Sequence, residues 1–450
     1  MKKLWHSKKH LTSFQIITSG FLFVILAGAL LLMLPVATKN GHGASFTDAV
    51  FTATSAVCVT GLVVQNTATY WSEFGQFIIL LLIQIGGMGV VTMAVSIAVI
   101  SGRKIGLMQR STMQEAISAP NVGGIVRMTG FIFKTSMVIE LLGAAVMFPV
   151  FYRDFGWRQG LWYALFHSVS AFCNAGFDLL GTKEPFVSLT AYYNNPVINL
   201  TVICLIITGG IGFITWEDMK TKKYHFRQYR MQSKVILVMT GILIVLPALF
   251  FYFFEFSSSR WNSLSETDKI WSSLFQAVTP RTAGFNTVDL ASFSEAGQMI
   301  ILMLMLVGGA PGSTAGGMKV TTVAVLVLTS FAVFKKREDT HCFGRRIAQD
   351  AVRYAVTILM LYLFLFLTGA VVISCLEGLP MLICLFETGS AIGTVGLSLG
   401  ITPGLCLASR VILVILMYLG RVGGLTLVFA AVTPKSVSIS KLPQEKITVG

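Results

Sequence analysis

Four short segments share one pattern: a phenylalanine, a run of small and hydroxyl residues, then a small or polar dyad closed by glycine. They run from Phe51 to Gly61, Phe166 to Gly176, Phe275 to Gly284 and Phe386 to Gly396, and their glycines recur at intervals of about 110 residues. The dyads Val59-Thr60, Asn174-Ala175, Thr282-Ala283 and Thr394-Val395 carry no carboxylate. Their chemistry is therefore that of the backbone. Glycine at 61, 176, 284 and 396 permits positive φ, so successive carbonyl oxygens can turn to one side. Four such loops about an axis would give rings of oxygens able to replace the water shell of a dehydrated cation. Without an acidic ring of the kind that suits divalent ions, a monovalent cation is the expected substrate. A pattern repeated four times implies one site built from four equivalent pieces.

The elements that must hold these loops are apolar. Hydrophobic residues make up 54% of the 450 and charged residues only 12%, and the mean hydropathy is +0.75, outside the range of a soluble domain. Stretches long enough to cross the bilayer, about 20 residues each, lie near 14–35, 74–100, 128–152, 196–216, 234–254, 297–334, 351–375 and 404–432. Between the members of each pair sits a segment too short to cross, near 46–57, 160–172, 268–279 and 380–391. These read as re-entrant half-helices, whose C-terminal dipole ends would point a partial negative charge at the bilayer middle. The expected fold is an all-α membrane protein of four span, half-helix, span repeats arranged pseudo-fourfold around a central pore. The repeats cover 14–100, 128–216, 234–334 and 351–433, between a cytosolic N-terminus at 1–13 and a cytosolic tail at 434–450.

Charge fixes the orientation. With this topology 23 of the 34 Lys and Arg fall on the side of the termini, which is therefore cytoplasmic. The half-helices then enter from outside. The net charge of +14 follows topology rather than a nucleic-acid partner, although the tract Lys220-TKKYHFRQYR suits anionic membrane lipid or an acidic cytosolic protein. The basic N-terminus before an apolar run superficially resembles a signal peptide, but no small-residue cleavage site follows and a retained first span is expected. The seven cysteines lie scattered, without metal spacing, and read as small core residues.

The sixth span is too long and is interrupted. From 297 to 334 one helix would reach about 57 Å at about 1.5 Å per residue, and its middle reads Gly308, Gly309, Ala310, Pro311, Gly312, Ser313, Thr314, Ala315, Gly316 and Gly317. This composition breaks a helix. A loop of small residues just below the carbonyl rings could obstruct the ion path and move at low cost, as a gate must. Related glycines at 86, 87 and 89, at 209, 210 and 212, and at 423 and 424 would allow close approach and bending of the other closing spans. Arg421 lies within the last span, where an ionised side chain needs protein or water. It is expected to face the axis and bond the 308–317 loop, as an electrostatic barrier to cations; the alternative is that it snorkels to the cytosolic interface. Arg281, in a third loop one residue shorter than the others, is expected at the outer mouth, tying loops together. Lys134 and Glu140 form a structural pair or lie near span ends.

A second functional class stays open on these residues, an ion-coupled secondary carrier (a Na⁺/K⁺ symporter) working by alternating access. Parallel rather than inverted repeats argue against it. An enzyme is not indicated, because metalloprotease, serine-hydrolase and intramembrane aspartate patterns are all missing from the sequence and its six histidines are dispersed.

The four repeats, the loops ending in Gly61, Gly176, Gly284 and Gly396, the 308–317 break and Arg421 together resemble the Trk/Ktr/HKT superfamily of potassium transporters. A short chain with eight spans is most similar to the ion-translocating membrane subunit of a bacterial Ktr system. The resemblance implies potassium uptake across the plasma membrane, K⁺ held in the loops as transported ion, and Na⁺ as an activator or coupling ion. It also implies a homodimer on a cytosolic ring of the RCK type that binds ATP or ADP. Glycine rather than serine at position 61 favours K⁺ within that family. No phosphate-binding loop is present, so nucleotide is expected on the partner and not on this subunit. The partner would meet the loops at 101–127, 217–234 and 335–350 and the tail ending Gln444-EKITVG.

Overall fold

The computed structural model describes residues 12–101, 105–117, 123–182 and 185–423. Expectations for the terminus at 1–11, for 102–104 and 118–122, and for everything after Gly423, including Gly424 and the tail, lie outside the described residues. The described chain is almost entirely helical, and the helices fall into four successive groups.

The first group is α1 (Ser13–Leu32), the half-helix α2 (Phe46–Cys58), the single turn α3 (Thr67–Tyr70), and α4 (Glu73–Met88) with its continuation α5 (Val90–Ile100). After α6 (Leu107–Ile117), the long α7 (Ile125–Phe172) supplies both a span and the second half-helix, turning at Gly156 with φ 76°. α8 (Pro196–Gly210) and α9 (Phe213–Lys222) complete that group. The third comprises α10 (Met231–Phe250), the half-helix α11 (Glu266–Val278), α12 (Glu295–Met305) and α13 (Val320–Phe334). A hairpin of β1 (His341–Cys342) and β2 (Arg345–Arg346) leads to α14 (Gln349–Glu377), the half-helix α15 (Met381–Gly393) and α16 (Leu407–Val422).

Five of these helices start on small polar caps. Ser45, Ser72, Ser265 and Ser294 each accept from a first-turn backbone N–H of α2, α4, α11 and α12, and Asn195 does so for α8. These caps satisfy N–H groups that would otherwise be orphaned near hydrocarbon. Four described helices are long and apolar enough to cross a membrane, or six if each bent pair is one span. Large side chains such as Phe23, Phe254 and Leu30 stand exposed on the outside of the bundle, as a lipid-facing surface requires. The chain is a multi-pass membrane protein.

Two of the expected spans are not straight. The stretches 74–100 and 196–216 each bend by 96°, at Gly89 (φ 85°) and Gly212 (φ 88°). Hydropathy runs on through both bends, which is why the apolar pattern reads as a single span. The backbone angle, open to glycine and strained for other residues, is what turns the chain.

Packing links the groups in a cycle. α2 lies against α4 and also against α16, α7 against α8 and α4, α11 against α8, and α15 against α16 and α12. The half-helices α2 and α15 thus each sit between the closing helix of their own group and that of the preceding group, and α11 packs on α8 of the preceding group. The contact of α2 with α16 shuts the cycle. The phenylalanines that open the repeated pattern, Phe51, Phe166, Phe275 and Phe386, are fully buried in these contacts. Truncating one to alanine would leave a cavity worth about 3–5 kcal/mol.

Candidate functional site

At the inner end of each half-helix the chain makes the same turn. Val59 (φ 58°), Asn174 (φ 58°), Thr282 (φ 69°) and Thr394 (φ 50°) all sit in the left-handed region, followed two residues later by a glycine of positive φ. A non-glycine residue there costs about 1–2 kcal/mol, so the turn must be held. The hydroxyl residue of the motif holds it. Ser55 Oγ accepts from the N–H of Gly61 at 3.1 Å and Ser390 Oγ from that of Gly396 at 3.0 Å. Ser170 Oγ instead donates to the Phe177 carbonyl at 2.8 Å, and Thr279 Oγ1 to that of Phe285. The carbonyls of the three serines also accept from Thr60, Ala175 and Val395 N–H at 2.7–2.8 Å. These hydroxyls are not among the site residues expected from the sequence; their fixed place, six residues before three of the glycines and five before the fourth, is the signal that marks them.

The glycines show how the loops face one another. A Cβ built on Gly61 would stand 2.5 Å from the Ala175 carbonyl oxygen, and one on Gly176 would stand 2.7 Å from the Ala283 oxygen. On Gly284 it would overlap the Val395 oxygen, and on Gly396 the Thr60 oxygen. Each glycine therefore abuts a carbonyl of the next loop, and the fourth returns to the first. The four loops form one closed ring with backbone oxygens packed between them and no room for a side chain on any of the glycines. The hydroxyls of Thr60 and Thr394 are buried in this ring without a hydrogen-bond partner, a state that costs about 1–3 kcal/mol unless something else satisfies them. On the outer side the four glycines line a cavity of about 210 Å³ together with Asp178, Asn286 and Ser398.

Arg281 is not at the outer mouth. Its side chain is buried, and its guanidinium donates to Thr240 Oγ1 of α10 at 3.2 Å. The shorter third loop explains the difference: the chain stays in a turn from Thr279 to Thr282, and Arg281 is directed back into the bundle.

Below the ring, the break after α12 is an ordered loop. Gly316 lies directly under Thr394, where a Cβ would overlap the threonine side chain. Ala310 N–H donates to the Gly210 carbonyl at 2.9 Å, Thr314 N–H to Gly209 at 3.2 Å, and Gly317 N–H to Gly420 at 3.2 Å. Thr314 Oγ1 reaches the Phe172 carbonyl at the end of the second half-helix, 3.0 Å away. Small side chains suggested a loop that moves at low cost, but these backbone bonds tie it to α8 and α16. Its mobility is set by hydrogen bonds, each worth about 0.5–1.5 kcal/mol net.

Arg421 projects into the same place. Its guanidinium donates to the carbonyls of Thr314, Gly86 and Gly87, the last at 3.0 Å, so one cation joins the loop, α4 and α16. Lys319 Nζ donates to the Ala315 carbonyl at 2.8 Å. Lys319 has no role among the expectations drawn from the sequence, although a lysine just past the Gly308–Gly317 break is a visible signal there. Both cations line a cavity of about 400 Å³ on the inner side of the loop, with Gly87 and Ser313. Lys134 and Glu140 do not pair. Glu140 is buried behind the second loop, accepting from Gln84 Nε2 at 3.0 Å beside Cys173, whereas Lys134 is exposed.

Comparison with known proteins agrees with this architecture. Residues 2–441 match the family described as TrkH, cation transport protein. The chain is 39% identical to the potassium/sodium uptake protein NtpJ of Enterococcus hirae over 450 residues, covering 98% of each. It is also 39% identical to the Ktr system potassium uptake protein B of Bacillus subtilis over 438 residues, covering 97% of this chain and 96% of that one. The crystal structure of the potassium transporter TrkH from Vibrio parahaemolyticus superposes with a TM-score of 0.74, at 21% identity, over 96% of this chain and 87% of that chain; it shares the fold. By full-length similarity, this chain belongs to the TrkH/Ktr family of cation transport proteins.

Proposed function

We propose that this chain is the ion-translocating subunit of a potassium uptake system, passing K⁺ across the bacterial plasma membrane through the ring of four loops. The observation that carries the proposal is the closed cycle in which Gly61, Gly176, Gly284 and Gly396 each abut a carbonyl of the next loop. A monovalent cation shedding its water would meet backbone oxygens of residues 59–61, 174–176, 282–284 and 394–396, with the unpartnered Thr60 and Thr394 hydroxyls at the same ring. The names of both 39% identical relatives specify potassium uptake.

In this reading the loop from Gly308 to Gly317 is the gate and Arg421 its latch. The loop lies under the ring, and the guanidinium adds a fixed positive charge between the ring and the inner cavity, opposing a cation there until loop and arginine move together. A nucleotide-binding cytosolic ring is the expected regulator, acting on a homodimer whose termini face the cytosol. α9 and the hairpin at 341–346 offer the contact surface, with Phe226 and Phe343 meeting edge to face at 6.4 Å.

A second reading, Na⁺-coupled symport, is favoured by the name of the Enterococcus hirae relative, which includes sodium. Radiolabelled rubidium uptake into liposomes holding only this protein, with no sodium present, separates the two. Uptake blocked by K⁺ and poorly by Na⁺ supports the pore, and uptake that starts only when a sodium gradient is imposed supports the carrier.

A further inference from the structure

A cavity of about 1080 Å³ is remote from the ring. It opens between α5, α6, α7 and α9 at the basic end of the bundle. Its lining combines apolar Val99, Val126, Phe131 and Val138 with the cations Arg110, Arg127, Lys134 and Lys220. None of these four cations has a carboxylate partner among the described residues, and no acidic side chain lines the cavity. Four exposed positive charges around one space, with no acidic side chain among them, favour an anion there.

The groove also has the form of a lipid slot. Lys220 Nζ stands 4.3 Å from the centroid of the Phe131 ring, so its ammonium lies over an apolar aromatic face within the groove. Lys134 is seven residues beyond Arg127 on α7, about 10 Å further along the helix, and carries its charge toward hydrocarbon depth. An exposed ammonium there is costly unless an anion accompanies it. A soluble anion would satisfy the cations but leave Val138 and the other apolar lining uncovered. A phospholipid supplies a phosphate for the cations and acyl chains for that lining, and it comes from the leaflet that the basic side faces.

We infer that this groove is a binding site for one anionic phospholipid of the cytosolic leaflet, with its phosphate among Arg110, Arg127, Lys134 and Lys220. The inference is independent of how the ring conducts.

The test places the purified protein in nanodiscs of phosphatidylcholine with and without phosphatidylglycerol, reading lipid retained by mass spectrometry and the thermal unfolding midpoint. Wild-type protein is expected to retain phosphatidylglycerol and unfold at a higher temperature with it. Arg127→Gln with Lys134→Gln should weaken retention about twenty-five-fold, or about fivefold per cation. The pair Lys222→Gln and Arg227→Gln, exposed elsewhere on the same basic side, should leave it unchanged. Equal retention in both doubles would overturn the site, since general surface charge would then account for the binding. Displacement of the lipid by glycerol phosphate alone would overturn it too, by making the ligand a soluble anion. If the first double fails to fold, Arg110→Gln with Lys220→Gln gives the same reading from the other two cations of the groove.

Discussion

The return loops and the closing helices are each repeated four times, and the two sets treat repetition differently. The loops stay alike: a left-handed residue, a glycine two positions on, and a hydroxyl that ties them, in all four. The closing helices do not. α4 and α8 turn through 96° at Gly89 and Gly212, α16 ends at Gly423 with a similar φ of 90°, but α12 gives way to an ordered loop under the ring. Equal coordination of one ion needs equivalent pieces, whereas control needs only one piece that differs. On this account selection resides in what the repeats share and gating in what the third alone possesses.

The largest effects should come from breaking the equivalence of the ring. Gly61→Ser would force a side chain toward the Ala175 carbonyl at φ 91°, a strain of about 1–3 kcal/mol. The K⁺ over Na⁺ ratio in flux assays should fall by about tenfold or more, with uptake of Na⁺ rising relative to K⁺. Removing the asymmetric piece should do the converse. Deletion of residues 310–314 takes away several backbone bonds of about 1 kcal/mol each and should raise flux about tenfold while leaving the ion ratio intact. Arg421→Gln keeps part of the hydrogen bonding and loses the charge, so a smaller rise, about fivefold, is expected in the same assay. The smallest effect is assigned to a single tie. Ser390→Ala removes the acceptor for Gly396 N–H, a loss of about 1 kcal/mol, and should lower the ion ratio about threefold. A change in flux without a change in ratio would move Ser390 from selection to stability.

Much of this plan was legible because glycine spacing and charge bias are properties of the chain itself. Four glycines in phase and a basic side can be read without coordinates, and so can a glycine-rich stretch that no helix tolerates. The bends at Gly89 and Gly212 were harder, since an apolar run says how much hydrocarbon a segment suits but not whether it turns. Arg281 lies elsewhere than expected because the missing residue falls between Thr279 and Thr282, and the side chain at that point is redirected while Thr282 and Gly284 keep the positions of the other loops. The pairing of Lys134 with Glu140 was avoidable: six residues apart on a helix, they point about 120° away from each other. Arg421 differs again. Its bond to the 308–317 loop was legible and is made to the Thr314 carbonyl, but its bonds to Gly86 and Gly87, more than 300 positions away, come only from the packing of α4, α16 and the loop.

The central claim is that the ring itself discriminates between cations. The most direct measurement is the reversal potential of the purified protein in a planar bilayer with K⁺ on one side and Na⁺ on the other, compared between the wild type and the 310–314 deletion. A potential close to the K⁺ equilibrium value is expected in both, with larger current in the deletion. A potential near zero in the open deletion variant would contradict the claim, because the four loops would then conduct without selecting.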